Sequence, residues 1–243
     1  MEGTMLLRRY EAGEFYAVWQ EIGSIPNLEG HLRDEVLSIA KAAMHRVARN
    51  ADLLADRLSA AGWKPLSPDL AELRTRPSAE DEVVFAQIAK TSGGPVPPTL
   101  LAFWKVVGGI NFVWDYEGGE SVPDLGVDLP MDEMDPLCVD SARGITDLFE
   151  EWEEQKGHSD TFRIDLAPDH WHKANVSGGS PYAVLVPFLG ADPIFTDERH
   201  ALPFLDYLRL AFKWAGFPGL EDHAERGDVQ RFVAKFGLGL EPF

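Results

Sequence analysis

The sequence predicts an α+β protein, in which a small and mainly antiparallel sheet is packed by helices and preceded by a helical N-terminal extension. Helical periodicity fills the first part of the chain, strand patterns cluster in the middle, and an apolar helix returns near the end. The regular alternation of strands and helices that characterises parallel sheets is absent. Together these observations favour helices that cover one side of a small sheet.

The N-terminal region carries two helical patterns. Apolar residues at 15, 18, 19 and 22 occupy one face of a short helix. A longer stripe without proline runs from 32 to 61 and is interrupted only by Asn50. Gly62 follows it and can adopt the left-handed conformation that often ends a helix. We therefore expect a long amphipathic helix that must pack on another part of the protein.

The segment from 63 to 79 contains three prolines and keeps no regular period. This loss of pattern marks the candidate domain boundary. We assign residues 1–76 to a helical N-terminal region and residues 77–243 to the α+β domain.

The α+β domain begins with two helices and a strand. Ser78 precedes Asp81 by three residues, which is the spacing of a capping box. Pro97 and Pro98 open a second helix, and alternation from 110 to 116 predicts a half-buried strand. The remaining expected elements are strands at 136–140, 162–166 and 182–187, a weaker strand at 194–195, a helix after Ser141, and helices at 202–215 and 228–236.

The chain is strongly acidic, with 40 acidic and 22 basic residues and a formal charge of −18. Residues 116–160 hold 14 acidic and 2 basic side chains, and so carry two thirds of the net charge. Such a field repels nucleic acid and anionic membranes and attracts a basic protein. No apolar run approaches the length of a membrane span, and the N-terminus lacks a signal-peptide pattern. We therefore expect a cytoplasmic protein with a protein partner.

The acidic region supplies most of the residues that we expect to contact this partner. Trp171 joins them because it is the one tryptophan outside the predicted apolar stripes, and exposed tryptophans often anchor interfaces. The candidate partner-binding residues are Asp132, Glu133, Asp135, Glu150, Glu151, Glu154 and Trp171.

His170 and His172 are the strongest candidates in the sequence for metal ligands. On a strand both imidazoles would face one way and could share a metal with Asp165 or Asp169, which would make a small metal-dependent hydrolase. Two histidines without a third ligand fixed by the pattern are a weak signal, and we assign no catalytic residue, metal or cofactor. Cys138 is the only cysteine. It stands between Leu137 and Val139, which indicates core packing and a reducing compartment.

A short pattern gives the sequence a family resemblance. A polar helix precedes a Gly-x-x-Pro-x-x-Leu motif, a central Phe, a Gly-Gly helix end and an aromatic strand. The residues concerned are Gly94, Pro97, Leu100, Phe103, Gly108, Gly109, Phe112 and Trp114. Over about residues 78–217 the chain thereby resembles the SUKH superfamily (Smi/Knr-like proteins). It departs from the pattern at Val107, where the family usually has asparagine.

The resemblance implies an α+β binding domain without enzymatic activity. Many SUKH proteins look like immunity proteins, which neutralise a toxin, often a nuclease, by binding it. The leading hypothesis is therefore a module that neutralises a basic toxin through an acidic face. A metal-dependent hydrolase at His170 and His172, and a structural adaptor that dimerises through the N-terminal helices, are the alternatives.

Overall fold

The computed structural model describes residues 5–64, 72–115, 125–155, 157–158 and 160–243. Residues 65–71 of the expected boundary segment and residues 116–124 of the acidic loop lie outside this set. Among the described residues, no helix combines the length and the apolar character needed to cross a bilayer.

The predicted fold class is confirmed, because helices pack against two small antiparallel sheets. The N-terminal region is helical, with α1 at Met5–Glu11, α2 at Phe15–Gly23 and α3 at Gly30–Ala60. Gly62 takes the expected positive φ of 88° just after α3. The long helix and its stop signal are therefore found where the stripe of apolar residues predicts them.

The long helix α3 packs on the part of the chain that carries the SUKH-like motif. It contacts α5 (Pro98–Ala102) and the π-helical turn that continues it at Phe103–Val107. The buried stripe of α3 belongs to the same hydrophobic core as the residues beyond 77. The division at residue 76 stays a prediction, but the stripe is covered by the chain itself and is not free to pair with a second copy.

Asn50 interrupts the apolar stripe of α3 because it makes a polar contact with a distant segment. Its side-chain amide donates to the Glu241 carbonyl oxygen at 2.9 Å, and its Oδ1 accepts from the Glu241 amide at 2.7 Å. The backbone amide and carbonyl of Glu241 thereby both have hydrogen-bond partners, and the segment around Glu241 is held against α3.

The predicted capping box at Ser78 and Asp81 forms only in part, in the turn that precedes α4 (Asp81–Ser92), and the N-cap residue Glu80 makes no side-chain cap. The Asp81 carboxylate accepts from the Ser78 amide at 2.6 Å, and the Ser78 hydroxyl accepts from the Glu80 amide at 3.1 Å. The helix ends at Gly93, whose φ is 69°.

The first sheet has the order β1–β2–β3, with antiparallel strands at Arg74–Thr75, Gly109–Asn111 and Cys138–Val139. The strand β2 is much shorter than the predicted 110–116, and Val113 is buried although alternation places it outward. The cause is local: the Asn111 side chain accepts a hydrogen bond from the Val113 amide at 3.0 Å, which turns the chain out of the sheet.

The second sheet pairs β4 (Phe162–Ala167) with β5 (Tyr182–Val186), with Ile164 opposite Val184. The weak strand expected at 194–195 forms only isolated bridges, Ala183 with Thr196 and Ile194 with Pro203. The helix expected after Ser141 divides into a 3-10 turn at Ala142–Ile145 and α7 (Leu148–Gln155), and Ser141 forms no side-chain cap. The remaining helices are α6 (Met131–Met134), α7 (Leu148–Gln155), α8 (His170–Lys173), α9 (Phe204–Lys213) and α10 (Gly227–Phe236), with a 3-10 turn at Pro218–His223.

Candidate functional site

Four of the seven candidate partner-binding residues line one cleft of about 220 Å³, namely Asp132, Glu133, Asp135 and Trp171. We call it the Trp171 cleft. It lies where α6 packs against α8 and against the 3-10 turn at Pro218–His223. The other lining residues are His170, Tyr182, Arg199, Gly219, Asp222 and His223. The close approach of the turn to α6 needs a glycine, since a Cβ on Gly219 would lie 2.2 Å from the Glu133 carbonyl oxygen.

Asp169 builds the cleft wall by capping α8. It is buried, and its Oδ1 accepts from the amides of Trp171 at 2.7 Å and His172 at 3.0 Å. Its Oδ2 lies 2.7 Å from His172 Nδ1. Burial alone would raise the pKa of Asp169, but these hydrogen bonds outweigh it and the pKa falls below its usual value. Asp169 and His172 therefore form part of a helix cap.

Trp171 is held at the mouth of the cleft with 41% of its surface exposed. The His170 ring lies beside it, with 4.8 Å between ring centres. The backbone of Gly178 packs against the indole, because a Cβ there would lie 2.3 Å from the Trp171 Cβ. The predicted exposure of Trp171 is confirmed, and its ring has protein contacts that fix its position.

A buried ion pair forms the floor of the cleft. Lys173 Nζ donates to Asp135 Oδ1 at 2.6 Å, and the lysine side chain has no solvent exposure. Lys173 Nζ also lies 4.8 Å from the centre of the Tyr182 ring. Asp135 therefore does not present its charge on the open surface, since only 5% of the residue is exposed and its carboxylate faces Lys173.

Tyr182 completes the floor, and its hydroxyl lies 3.4 Å from Asp135 Oδ2. Burial, followed by the charge of Asp135, raises the pKa of Tyr182 above its ordinary value, so the hydroxyl stays protonated. Asp135 itself has a φ of 46°, in the left-handed region that non-glycine residues seldom adopt. The packing around the floor thus holds a charged side chain in a strained backbone position.

The rim of the cleft consists of acidic side chains, most of which have cationic partners. Glu133 pairs with His223 Nε2 at 3.0 Å. Arg199 pairs with Glu221 at 2.9 Å and also with Asp222. Asp132 differs, because it forms no ion pair with any residue that the structure describes. Within the described part of the chain, it is the rim carboxylate that lacks a cationic partner.

The other three candidate residues lie on α7, away from the cleft. The helix contacts the start of β4, whereas α8 follows the end of that strand, roughly 20 Å further along. Trp152 buries one side of α7, and its indole N–H donates to the Thr91 carbonyl oxygen at 3.1 Å. Glu150, Glu151 and Glu154 are exposed on the other side and form no ion pair within the described part of the chain.

The histidine pair does not build a metal centre with the described residues. No group of three His, Cys, Asp or Glu side chains among them is placed to hold a metal ion. The buried Cys138 behaves as the predicted core residue, and burial raises the pKa of its thiol to about 12.

Lys173, Arg199, Asp222 and His223 belong to the cleft but were not identified from the sequence. They lie on elements that follow Asp135 by 38 residues or more, and nothing in their local pattern separates them from ordinary surface side chains. No family model, curated protein or solved structure matches this chain, so the resemblance to SUKH proteins stays a prediction.

Proposed function

We propose that this protein is a non-enzymatic, cytoplasmic binding module that captures a basic protein, as an immunity protein captures a nuclease-type toxin. The observation that carries the proposal is the exposed acidic face of α7. Glu150, Glu151 and Glu154 project from one short helix without a cation of their own among the described residues. Their charges are therefore available to an outside partner.

The acidic face fits a role in guiding association. Carboxylates that are paired internally have their field cancelled, whereas unpaired ones add to the potential outside the protein. The overall charge of −18 strengthens this potential. Nuclease toxins carry cationic surfaces that hold phosphate, and an acidic protein that covers such a surface blocks it. Electrostatic complementarity of this kind raises the association rate more than it slows dissociation.

The resemblance of residues 78–217 to SUKH proteins supports the proposed capture of a toxin, because many members look like immunity proteins. The cleft adds a partly exposed tryptophan to the acidic surface, and tryptophan is among the residues that most often dominate binding energy. The two features together favour recognition of a macromolecule.

The test is to measure binding to a panel of purified basic nucleases, in parallel with their nuclease activity. We expect at least one nuclease to be inhibited, with an association rate that falls steeply as salt increases. The triple substitution Glu150→Gln/Glu151→Gln/Glu154→Gln should lower the association rate about tenfold and change dissociation little.

A matched control removes the same charge elsewhere. Glu11, Asp34 and Asp56 are exposed acids on α1 and α3, and the variant Glu11→Gln/Asp34→Asn/Asp56→Asn has the same net charge as the α7 variant. If both variants slow association equally, the effect belongs to net charge and not to α7. If no basic protein binds at low ionic strength, the proposed function is wrong.

A further inference from the structure

The side chains that line the Trp171 cleft have an excess of negative charge. Four of them are carboxylates, from Asp132, Glu133, Asp135 and Asp222, against a single guanidinium from Arg199. The buried Lys173 in the floor neutralises Asp135, Arg199 is held by Glu221 and Asp222, and Glu133 pairs with His223. Asp132 is left without an ion pair among the described residues. An occupant with a positive charge is therefore favoured.

The floor of the cleft offers an incompletely used hydrogen-bond acceptor. Asp135 Oδ1 receives a short bond from Lys173, but the only partner of Oδ2 within the described residues is the Tyr182 hydroxyl at 3.4 Å. That distance is well beyond the usual range of about 2.5–3.0 Å for a hydroxyl donor. A buried carboxylate oxygen without a good donor is costly, so an occupant that supplies an N–H group would relieve it.

The wall of the cleft is aromatic on one side. Trp171 is 41% exposed and is flanked by the His170 ring. The face of an indole is the best aromatic surface for a cation, and guanidinium groups stack on it readily. The aromatic wall and the acidic floor thus select for the same kind of ligand.

We propose that the Trp171 cleft receives one arginine side chain of the basic partner. This inference rests on the proposed function and names the anchor through which the partner is held. The guanidinium stacks on Trp171 and donates to Asp132 and to Asp135 Oδ2. A planar group with five donors can serve two carboxylates and an aromatic face together, which a lysine ammonium cannot do as well.

The size of the cleft agrees with a single side chain. Its volume of about 220 Å³ is below the ~300–1,000 Å³ of clefts that hold drug-sized ligands. The acidic face of α7 and the cleft then have separate roles. The first attracts a basic surface from a distance, and the second fixes one arginine once contact is made.

The experiment compares labelled nona-arginine and nona-lysine peptides by fluorescence anisotropy on the full chain at low ionic strength. We expect the wild-type protein to prefer nona-arginine. Trp171→Ala should weaken nona-arginine binding about tenfold and remove the preference over nona-lysine. Trp171→Phe should keep part of the affinity, since a smaller aromatic face remains. Circular dichroism confirms that each variant is folded.

The contact between the guanidinium and Asp132 is tested with a substitution and a matched control. Asp132→Asn should weaken nona-arginine binding severalfold, whereas Asp147→Asn, which removes the same charge at an exposed position just before α7, should weaken it much less. If Trp171→Ala and Asp132→Asn leave nona-arginine binding unchanged, the anchor is not in this cleft. The proposed function survives that result if the α7 triple variant still weakens both peptides.

Two further outcomes show whether the cleft binds an arginine of a protein partner or a free small molecule with a guanidinium group. Argininamide that binds as tightly as nona-arginine, and that loses affinity in Trp171→Ala, would assign the cleft to a free small molecule and overturn its role in docking. A wild-type protein that binds neither peptide at low ionic strength would contradict both the anchor and the proposed function.

Discussion

The acidic face of α7 and the Trp171 cleft are built from the same kinds of side chain but use them in opposite ways. On α7, Glu150, Glu151 and Glu154 are exposed and form no ion pair among the described residues. Around the cleft, most carboxylates are bound by Lys173, Arg199 or His223. Burial explains the difference, because a carboxylate removed from water needs a partner and an exposed one does not.

The contrast shows that acidic composition alone does not define a binding surface. Paired carboxylates set the shape of the cleft and hold its walls in place, whereas unpaired ones create the external field. Asp132 lines the cleft but resembles the α7 glutamates, since it has no ion pair within the described chain. The following predictions separate the structural charges from the external ones.

The largest expected effect comes from breaking the pair beneath the cleft. Lys173→Met removes the cation that is hydrogen-bonded to the buried Asp135 carboxylate, and we expect it to lower the free energy of unfolding by about 3–5 kcal/mol. Chemical denaturation measures this. The double variant Lys173→Met/Asp135→Asn should recover much of the loss, because the unpaired charge is gone.

Arg199→Met provides the control beside the same cleft. Arg199 is 40% exposed, so the loss of its ion pairs should cost no more than about 1 kcal/mol. Equal losses for Lys173→Met and Arg199→Met would contradict the distinction between buried and exposed pairs.

A smaller effect is expected from pH, through His200 near the rim. Its Nδ1 lies 2.6 Å from Glu198 Oε1, and its Nε2 contacts Glu221. Burial lowers the pKa of His200, but the hydrogen bonds and charges of these two glutamates outweigh it and raise the pKa above 6.5. Arg199 is the nearby cation that shares Glu221 with His200.

The direction of the pH dependence follows from proton binding. The folded state binds the His200 proton more tightly than the unfolded state does, because the folded pKa is the higher one. Protonated His200 therefore stabilises the fold fully below pH 6.5, and this contribution is lost as pH rises through the folded pKa. We expect the difference in unfolding free energy between wild type and His200→Gln to shrink from pH 6 towards pH 9. A difference that stays constant over this range would show that the imidazole does not titrate against the two glutamates.

The smallest effect on stability is expected at α7. Glu150→Gln/Glu151→Gln/Glu154→Gln should change the free energy of unfolding by no more than about 0.5 kcal/mol per position, since the side chains are exposed and have no ion pair among the described residues. Relief of repulsion between neighbouring carboxylates favours a slight gain. A large loss in the denaturation midpoint would mean that these glutamates have internal partners.

Local patterns in the sequence predicted the helices well, because an apolar stripe records the face that a helix buries. The long helix α3 and the apolar helix α9 were found in this way. The role of Asn50 could not be predicted, since its partner Glu241 is 191 residues away. The shortened strand β2 depends on one side-chain hydrogen bond from Val113 to Asn111, which alternation does not reveal.

The candidate site was predicted only in part, for a similar reason. The exposure of Trp171 and of the α7 glutamates followed from their positions outside the apolar stripes. The burial of Asp135 did not, because it depends on Lys173, 38 residues further on. That the acids of α6 meet Trp171 in one cleft is a result of tertiary packing between short elements with weak patterns of their own.

The exposure of Trp171 also gives the molecule an optical property. The other six tryptophans are buried or half-buried, and five of them have 7% of their surface or less in contact with solvent. The long-wavelength edge of the intrinsic emission, which comes from indole rings in water, therefore arises mainly from the mouth of the cleft. With so many carboxylates around it, a cationic quencher will reach this fluorophore more readily than iodide, and anything that fills the cleft will shield it from both.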